Sequence, residues 1–403
     1  VDAPMPDDPQ PNFAYFVYDG VPAWTASIQG DNNGRTAYDF NAMRPVAVYH
    51  VLAKQTDVAD AMFMPPSGWA AGYMGNDYPW RGTFVYNGVV YDHILFRARG
   101  GRDRYATGKT SWKIAFNRGH YFQAHDNYGR PYRTQWDKLN LNAIIQQVQR
   151  RRRGEQGMFE SMTYRMFDLA GVEAPFTHYA HLRVIDAVSE QSGSQYDSDF
   201  WGLYLAVEDP DGQMLEEHGL PDGNLYKMEN WTGELEHQGR GMPSDKSDLN
   251  EFMYTYTNLN PDSAWWQTNF DLDTYYRYRA VTEFVRHYDV DEGKNYLYYH
   301  NSATGKWEIH PWDVDLTWER AMPGNGNEPF VSRVLTRPEF QIAYQNHLRE
   351  LRDLLFNPDQ MFPLLDEHAG WVDTPADGPS MVDADRAMWD YNPIYTTRYV
   401  VWG

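Results

Sequence analysis

The 403-residue sequence contains no cysteine, which removes disulfide frameworks, thiolate zinc sites and cysteine nucleophiles together. That absence fits an exported bacterial protein and also occurs in cytosolic ones; a secreted or extracytoplasmic location is the expectation. No stretch reaches the roughly 18–20 consecutive apolar residues of a membrane-spanning helix, so no membrane span is expected. The first segment, VDAPMPDDPQPNF, lacks the basic-then-apolar profile of a signal peptide. It reads as a mature N-terminus after cleavage or as an arbitrary boundary. Positive charge is scarce: 35 Lys and Arg stand against 56 Asp and Glu, for a net charge of −21. Such a chain repels phosphate backbones at long range, which argues against a nucleic-acid partner. Neither a G-x-x-x-x-G-K-[ST] phosphate loop nor a G-x-G-x-x-G dinucleotide fingerprint is present.

What is there is a large apolar and aromatic fraction, 42% and 16%, enough for a sizeable core in two or three domains or one two-lobed enzyme. Residues 1–39, rich in Pro, Asp and Asn, read as an extended N-terminal arm. Ordered structure is expected from the β-type run Arg44–Val51, with a short helix at Asp57–Met62. Asn87-Gly88 between Gly82–Tyr86 and Val89–Tyr91 is the pair that a two-residue type I′ hairpin turn requires. Further strands are expected at His93–Arg99 and Ser111–Phe116. The pattern from Leu139 to Ala170 predicts a helix, passing through a basic run at 150–153 and stopping at Gly171. Strands return at His181–Ile185 and Trp201–Val207. After Asp271 helices dominate, interrupted by a strand pair at Tyr296–His300 and Trp307–His310, with one or two amphipathic helices over Pro338–His368. The order predicts an α+β chain, not an alternating βαβ fold.

Three segments carry chemistry. Arg97-Ala-Arg99-Gly100-Gly101 followed by Lys109-Thr-Ser-Trp-Lys113 places glycine N–H groups and lysines where a phosphate could be clamped. Only eight lysines occur in the chain, and two stand here; in a strand Lys109, Ser111 and Lys113 share one face. An edge strand with solvent-facing lysines would look the same. His287-Tyr-Asp289-Val-Asp291-Glu-Gly293-Lys-Asn295-Tyr joins a helix to a strand through an acidic loop. One acid there can orient an attacking hydroxyl while the Asn holds a metal ion, or the loop is an acidic turn with Asn295 in a turn role. His310-Pro-Trp-Asp313-Val-Asp315 puts two carboxylates one residue apart after a strand, and a turn at Thr304-Gly305 would bring them near the acidic loop. Clustered carboxylates repel unless a cation offsets them, and hard oxygen ligands suit Mg2+ or Mn2+; taken alone, the pair also fits a structural Ca2+ site.

These segments resemble the CotH kinase-like family. The resemblance is carried by ILFRARGG…GKTSWKIAF, FESMTYRMFDLAGVEAP, WGLYLAVED with GNLYK, and NYLYYHNSATGKWEIHPWDVDLTWE, in order from about Arg44 to Leu365. It implies an atypical protein-kinase-like, two-lobed fold, with a β-rich N-lobe over 40–206 and a mainly helical C-lobe over 207–403. It implies ATP and Mg2+ or Mn2+ as cofactors, a protein substrate phosphorylated on a Ser, Thr or Tyr hydroxyl, export, and kinship with proteins acting on spore coats. Residue by residue, it implies nucleotide binding by Lys113 or Lys109, with Arg99, Glu208 and Lys227 lining or supporting the pocket. It further implies Asp289, or alternatively Asp291, as the catalytic acid, and Asn295 and Asp313, with Asp315 as alternative, as metal ligands. The family's usual spacing falls between the two candidates: five residues separate Asp289 from Asn295 and three separate Asp291 from it. The glycine usual after W-D-x-D is replaced near Trp318-Glu319. A nucleotide- and metal-binding pseudokinase or structural coat protein is therefore the second expectation. A carbohydrate-binding protein, prompted by 15 Trp and 30 Tyr, is the third.

Overall fold

A computed structural model of the chain describes residues 12–18, 21–28, 46–63, 77–100, 109–144, 157–188, 190, 198–291, 293–318, 326–373 and 380–389. The elements are β1 (Asn12–Tyr18), β2 (Val21–Ile28), β3 (Ala47–Leu52), α1 (Gln55–Ala61), β4 (Trp80–Tyr86), β5 (Val89–Ala98), β6 (Trp112–Ala115), β7 (Lys138–Asn142), α2 (Met158–Leu169), β8 (Thr177–Ile185) and β9 (Phe200–Glu208). They continue with α3 (Gly212–Glu217), β10 (Asn224–Glu229), β11 (Thr232–His237), α4 (Ser247–Tyr254), a π-helical turn (Thr255–Leu259), α5 (Ser263–Asn269), α6 (Leu272–Phe284), β12 (Tyr296–His300), β13 (Trp307–Pro311), α7 (Pro338–Leu354), α8 (Pro358–Val372) and α9 (Met381–Trp389). The chain divides into two compact units, one from residues 1–157, 177–208 and 368–403, the other from 158–176 and 209–367. The α+β class expected from the sequence is the class observed.

In the first unit β1 and β2 pair as an antiparallel hairpin. The strands expected to build a kinase-like lobe close instead into a seven-stranded barrel, in the order β3-β4-β5-β6-β7-β9-β8. Alternation explains the wall: Trp112 and Ile114 of β6 are buried, while Lys113 and Ala115 between and after them are only half-buried. Tyr49, Phe84, Phe96, Leu139, Leu141, Leu182 and Tyr204 fill the interior. The free space among Val51, Phe96, Trp112, Leu141 and Leu182 is about 10 Å3. Entirely apolar and no larger than one water, it is a packed core rather than a ligand lumen. Closure depends on β3 pairing parallel with β8, Ala47↔Ala180 through Leu52↔Ile185. Asn87 and Gly88, at φ 50° and 73°, form the expected hairpin turn between Tyr86 and Val89.

Two sequence expectations are corrected in this unit. The separate strand at His93 is one continuous β5, kinked where His93 takes φ 53° and the register with β4 shifts; the kink is a bulge, not a break. The helix expected from Leu139 does not start there. Leu139 and Leu141 point into the barrel as alternate residues of β7, and the helix begins only at Met158. The basic run at 150–153 lies outside the described residues.

The second unit is a four-stranded antiparallel sheet, β11-β10-β12-β13, with helices α4 to α7 and an aromatic core. Phe252 stacks on Trp307 at 4.7 Å between centroids, and Phe330 meets Phe270 at 4.4 Å and Tyr275 at 5.5 Å. Such pairs add about 0.5–1.5 kcal/mol each beyond the area they bury. Gly171 ends α2 at φ 79°, with Val172 N–H returning to the Phe167 carbonyl at 2.9 Å. Among the described residues no helix is long and apolar enough to cross a membrane.

Candidate functional site

The acidic loop is set by how α6 stops. Asp271 caps its start by accepting from Thr274 N–H at 3.0 Å. At the other end Arg286 turns left-handed at φ 55°, and His287 N–H returns to the Thr282 carbonyl at 3.0 Å. The His287 ring is thereby fully buried; burial pushes its pKa down to about 3, so it is a neutral, structural group. Val290 is buried next, Gly326 N–H donates to the His287 carbonyl at 2.9 Å, and Asp291 and Lys294 form an isolated bridge. Asn295 then enters β12 at φ 65°, a conformation that Asn tolerates better than most residues.

Pairing of Tyr296 with Pro311 makes the start of β12 and the end of β13 neighbours. Asn295 immediately precedes the first and Asp313 lies two residues past the second. Asp313 is also left-handed, at φ 55°, and its N–H donates to the Tyr164 hydroxyl of α2 at 3.1 Å. The same helix accepts the Trp318 indole N–H at Thr163 Oγ1, 2.8 Å away, and Thr163 meets Thr317 at 2.9 Å. Trp318 itself takes φ 64°. Residues in sparsely populated backbone conformations persist where surrounding structure over-determines them, and they concentrate at functional sites.

Asp289 is half-buried and held on both oxygens: Lys294 Nζ reaches Oδ1 at 2.8 Å, and Asn295 Nδ2 donates to Oδ2 at 2.8 Å and to the Asp289 carbonyl at 3.0 Å. Burial works against the Lys294 ammonium, but the bond to Asp289, with Asp313 and Glu229 nearby, outweighs it and raises the pKa. Asp315 is pushed well above the carboxylate range, first by burial and then by repulsion from Asp313, Glu160 and Asp289. Asp315 therefore feels three other carboxylates here. Asp291, by contrast, is exposed.

The donor chemistry suits a hard cation. The Asn295 amide nitrogen is committed to Asp289, which leaves its oxygen uncommitted to that carboxylate. Among the described residues no three His, Asp or Glu side chains are arranged to hold an ion unaided. An Asn oxygen with one or two carboxylates is nonetheless the sparse protein set Mg2+ commonly takes, water and phosphate completing its shell.

The lysine segment is differently placed. Lys109 lies before β6 rather than in it, fully buried, with Nζ 2.7 Å from Asp385 Oδ1, 2.5 Å from the Leu203 carbonyl and 4.6 Å above the Tyr204 ring. Burial lowers its pKa and Asp385 partly restores it. Lys113 pairs with Arg97 and Asn140 on the outer side of the barrel wall, and Arg99 bonds Asn142. Glu208 is buried and pairs with Leu139, on the side that lines the barrel, so the wall separates it from Lys113. Lys227 belongs to the second unit, in β10, with Nζ 5.9 Å from the Trp312 ring centroid. Two residues of the acidic site went unassigned in the sequence. Glu160 was signalled only by being a charge inside the otherwise uncharged run MFESMTY, and Lys294 by being a lysine between the two candidate acids on one side and Asn295 on the other.

An α+β chain presenting an Asn and an Asp on paired strand ends, beside a braced acidic loop, falls in the class of CotH-type kinase-like proteins: residues 96–377 match the family described as CotH kinase protein, and the chain belongs to that family. Inner spore coat protein H of Bacillus subtilis (strain 168) is 27% identical over 192 residues, which is 40% of this chain and 52% of that protein. The match thus spans about half the length of that relative.

Proposed function

We propose that the chain is an ATP- and divalent-metal-dependent phosphotransferase that phosphorylates a protein hydroxyl, with a two-lobed kinase-like organisation and an extracytoplasmic or coat location like that of its named relative. What supports this is the pairing of the strand ends next to which Asn295 and Asp313 lie, both left-handed, together with the Asp289–Lys294 pair. Asn295 Oδ1, Asp313 and Asp315 would hold Mg2+ or Mn2+, and the ion would screen phosphate charge and shape its geometry. Asp289, fixed by Asn295 and Lys294, orients the acceptor hydroxyl and takes its proton. Lys294 fixes that carboxylate through its 2.8 Å contact and adds positive charge beside it. Lys113 and Arg99 on the outer barrel wall are proposed to contact nucleotide phosphate, and Lys227 likewise, while Glu208 supports the wall from within and Lys109 is held by Asp385 as a structural lysine.

A second reading is a pseudokinase that binds nucleotide and metal without turnover. Both Asp289 oxygens are already hydrogen-bonded, which would leave the carboxylate a poor base if those bonds persist with substrate bound. Mn2+ titration followed by electron paramagnetic resonance, with and without ATP, tests the metal site. The proposal expects saturable binding that weakens at least about tenfold in Asp313→Ala and Asn295→Ala; equal affinity in all three proteins would refute the ligand assignment.

A further inference from the structure

β10 and β11 are joined by two residues, Asn230 and Trp231, between the paired Glu229 and Thr232. Their φ angles are 49° and 64°, the type I′ geometry that favours Asn followed by Gly. Asn230 suits its position. Trp231 does not, because a bulky side chain in the left-handed region crowds the backbone. Glycine there would relieve the crowding, so the indole must be held by something outside the hairpin.

It is held at the acidic loop. Trp231 N–H donates to the Gly293 carbonyl at 3.0 Å. A Cβ on Gly293 would stand 2.7 Å from that nitrogen and 2.8–2.9 Å from the indole Cδ1 and Cγ. Gly293 is buried although Trp231 is 46% exposed, so the ring covers the loop while its far edge meets solvent. Gly293 sits between Asp291 and Lys294, the two residues of the loop's bridge, and Lys294 is the group that holds Asp289. Hairpin tip and acidic loop are keyed together at a point where neither can gain an atom.

We propose that Trp231 is a positioning residue for phosphoryl transfer: its strained turn presses the indole onto Gly293 and fixes the 289–295 loop so that Lys294 and Asn295 hold the Asp289 carboxylate in one place. This rests on the proposed phosphotransferase reading and adds a residue that touches neither metal nor acceptor. Trp231→Gly keeps the N–H, suits φ 64° and removes only the ring; Gly293→Ala disturbs the same contact from the other side. Both variants are expected to speed amide hydrogen exchange within 289–295 by about tenfold or more. Both should lower kcat by about tenfold to a hundredfold while leaving KM for ATP within about twofold. Trp231→Gly should not lower the unfolding midpoint, and Trp231→Phe should recover most of kcat. Loop exchange and kcat within about twofold of the parent protein in Trp231→Gly and Gly293→Ala would overturn the proposal. Should the parent protein transfer no phosphate, the phosphotransferase reading fails and exchange alone decides: faster exchange confined to 289–295 supports the clamp, and unchanged exchange overturns it.

Discussion

Lys109 offers the sharpest quantitative test, because it looks like a nucleotide ligand and is built like a structural group. It and Asp385 both have side chains with no exposed surface, and they meet at 2.7 Å. Lys109→Met removes the cation and leaves a buried carboxylate whose remaining contacts include the Leu203 N–H at 2.8 Å. Breaking one side of a buried pair costs about 3–5 kcal/mol, whereas replacing both sides with apolar residues is often neutral or stabilising. The two single variants should not be equal. Burial already pulls the Lys109 pKa down and Asp385 opposes that pull, so in Asp385→Leu the lysine can shed its proton and escape part of the penalty. The expected order is therefore Lys109→Met worst by about 3–5 kcal/mol, Asp385→Leu milder, and the Lys109→Met/Asp385→Leu double variant close to the parent. Urea unfolding followed by tryptophan fluorescence reads this as a shift in midpoint at constant slope. A Lys109→Met loss under about 1 kcal/mol, or a double variant as unstable as the sum of the singles, would refute the reasoning.

Three further outcomes follow from other parts of the structure. Burial depresses the His178 pKa to about 3, and Tyr49 OH lies 2.5 Å from its Nε2. The folded state therefore favours the neutral ring, and the stability present above the unfolded pKa near 6.5 is lost as pH falls toward 3. From pH 7 to 5 that loss is roughly 2 kcal/mol, and His178→Gln should remove this part of the pH dependence of the unfolding midpoint. At Gly326 a Cβ would run into the Val290 carbonyl, so Gly326→Ala should destabilise the second unit by about 1–3 kcal/mol and weaken Mn2+ binding. Asp211 caps α3 by accepting from Gln213 N–H at 2.9 Å and Met214 N–H at 3.3 Å; Asp211→Ala should cost about 1 kcal/mol, read as a lowered melting midpoint, without changing metal affinity.

What the sequence disclosed tracks how local each signal is. Asn87-Gly88 and Thr304-Gly305 announce hairpins because turn chemistry is read within a few residues, and Gly171 announces a helix end for the same reason. The β12–β13 hairpin, once seen, places Asn295 opposite the Asp313 segment. The barrel was not legible, since its closure depends on β3 finding β8 more than a hundred residues away and no local pattern records that. β7 was misread because LNL is too short for alternation to outweigh a neighbouring helical period. The sequence offers Lys109 beside Lys113 as a phosphate ligand, while its pairing with Asp385, 276 residues further on, leaves no local trace. Glu160 shows the same limit: a carboxylate on a helix becomes part of an acidic cluster only when the helix packs on the loop that holds the others.

The central claim is metal-dependent phosphoryl transfer organised by Asp289 and Asp313. Its most direct measurement is transfer of label from γ-labelled ATP to a generic protein acceptor, or to the chain itself, with Mg2+ or Mn2+. The account predicts transfer by the parent protein that stops on chelation, falls by roughly a hundredfold or more in Asp289→Asn and Asp313→Ala at unchanged melting midpoint, and changes little in Asp291→Asn. No metal-dependent label transfer by the parent protein, or equal transfer by all three variants, would contradict it.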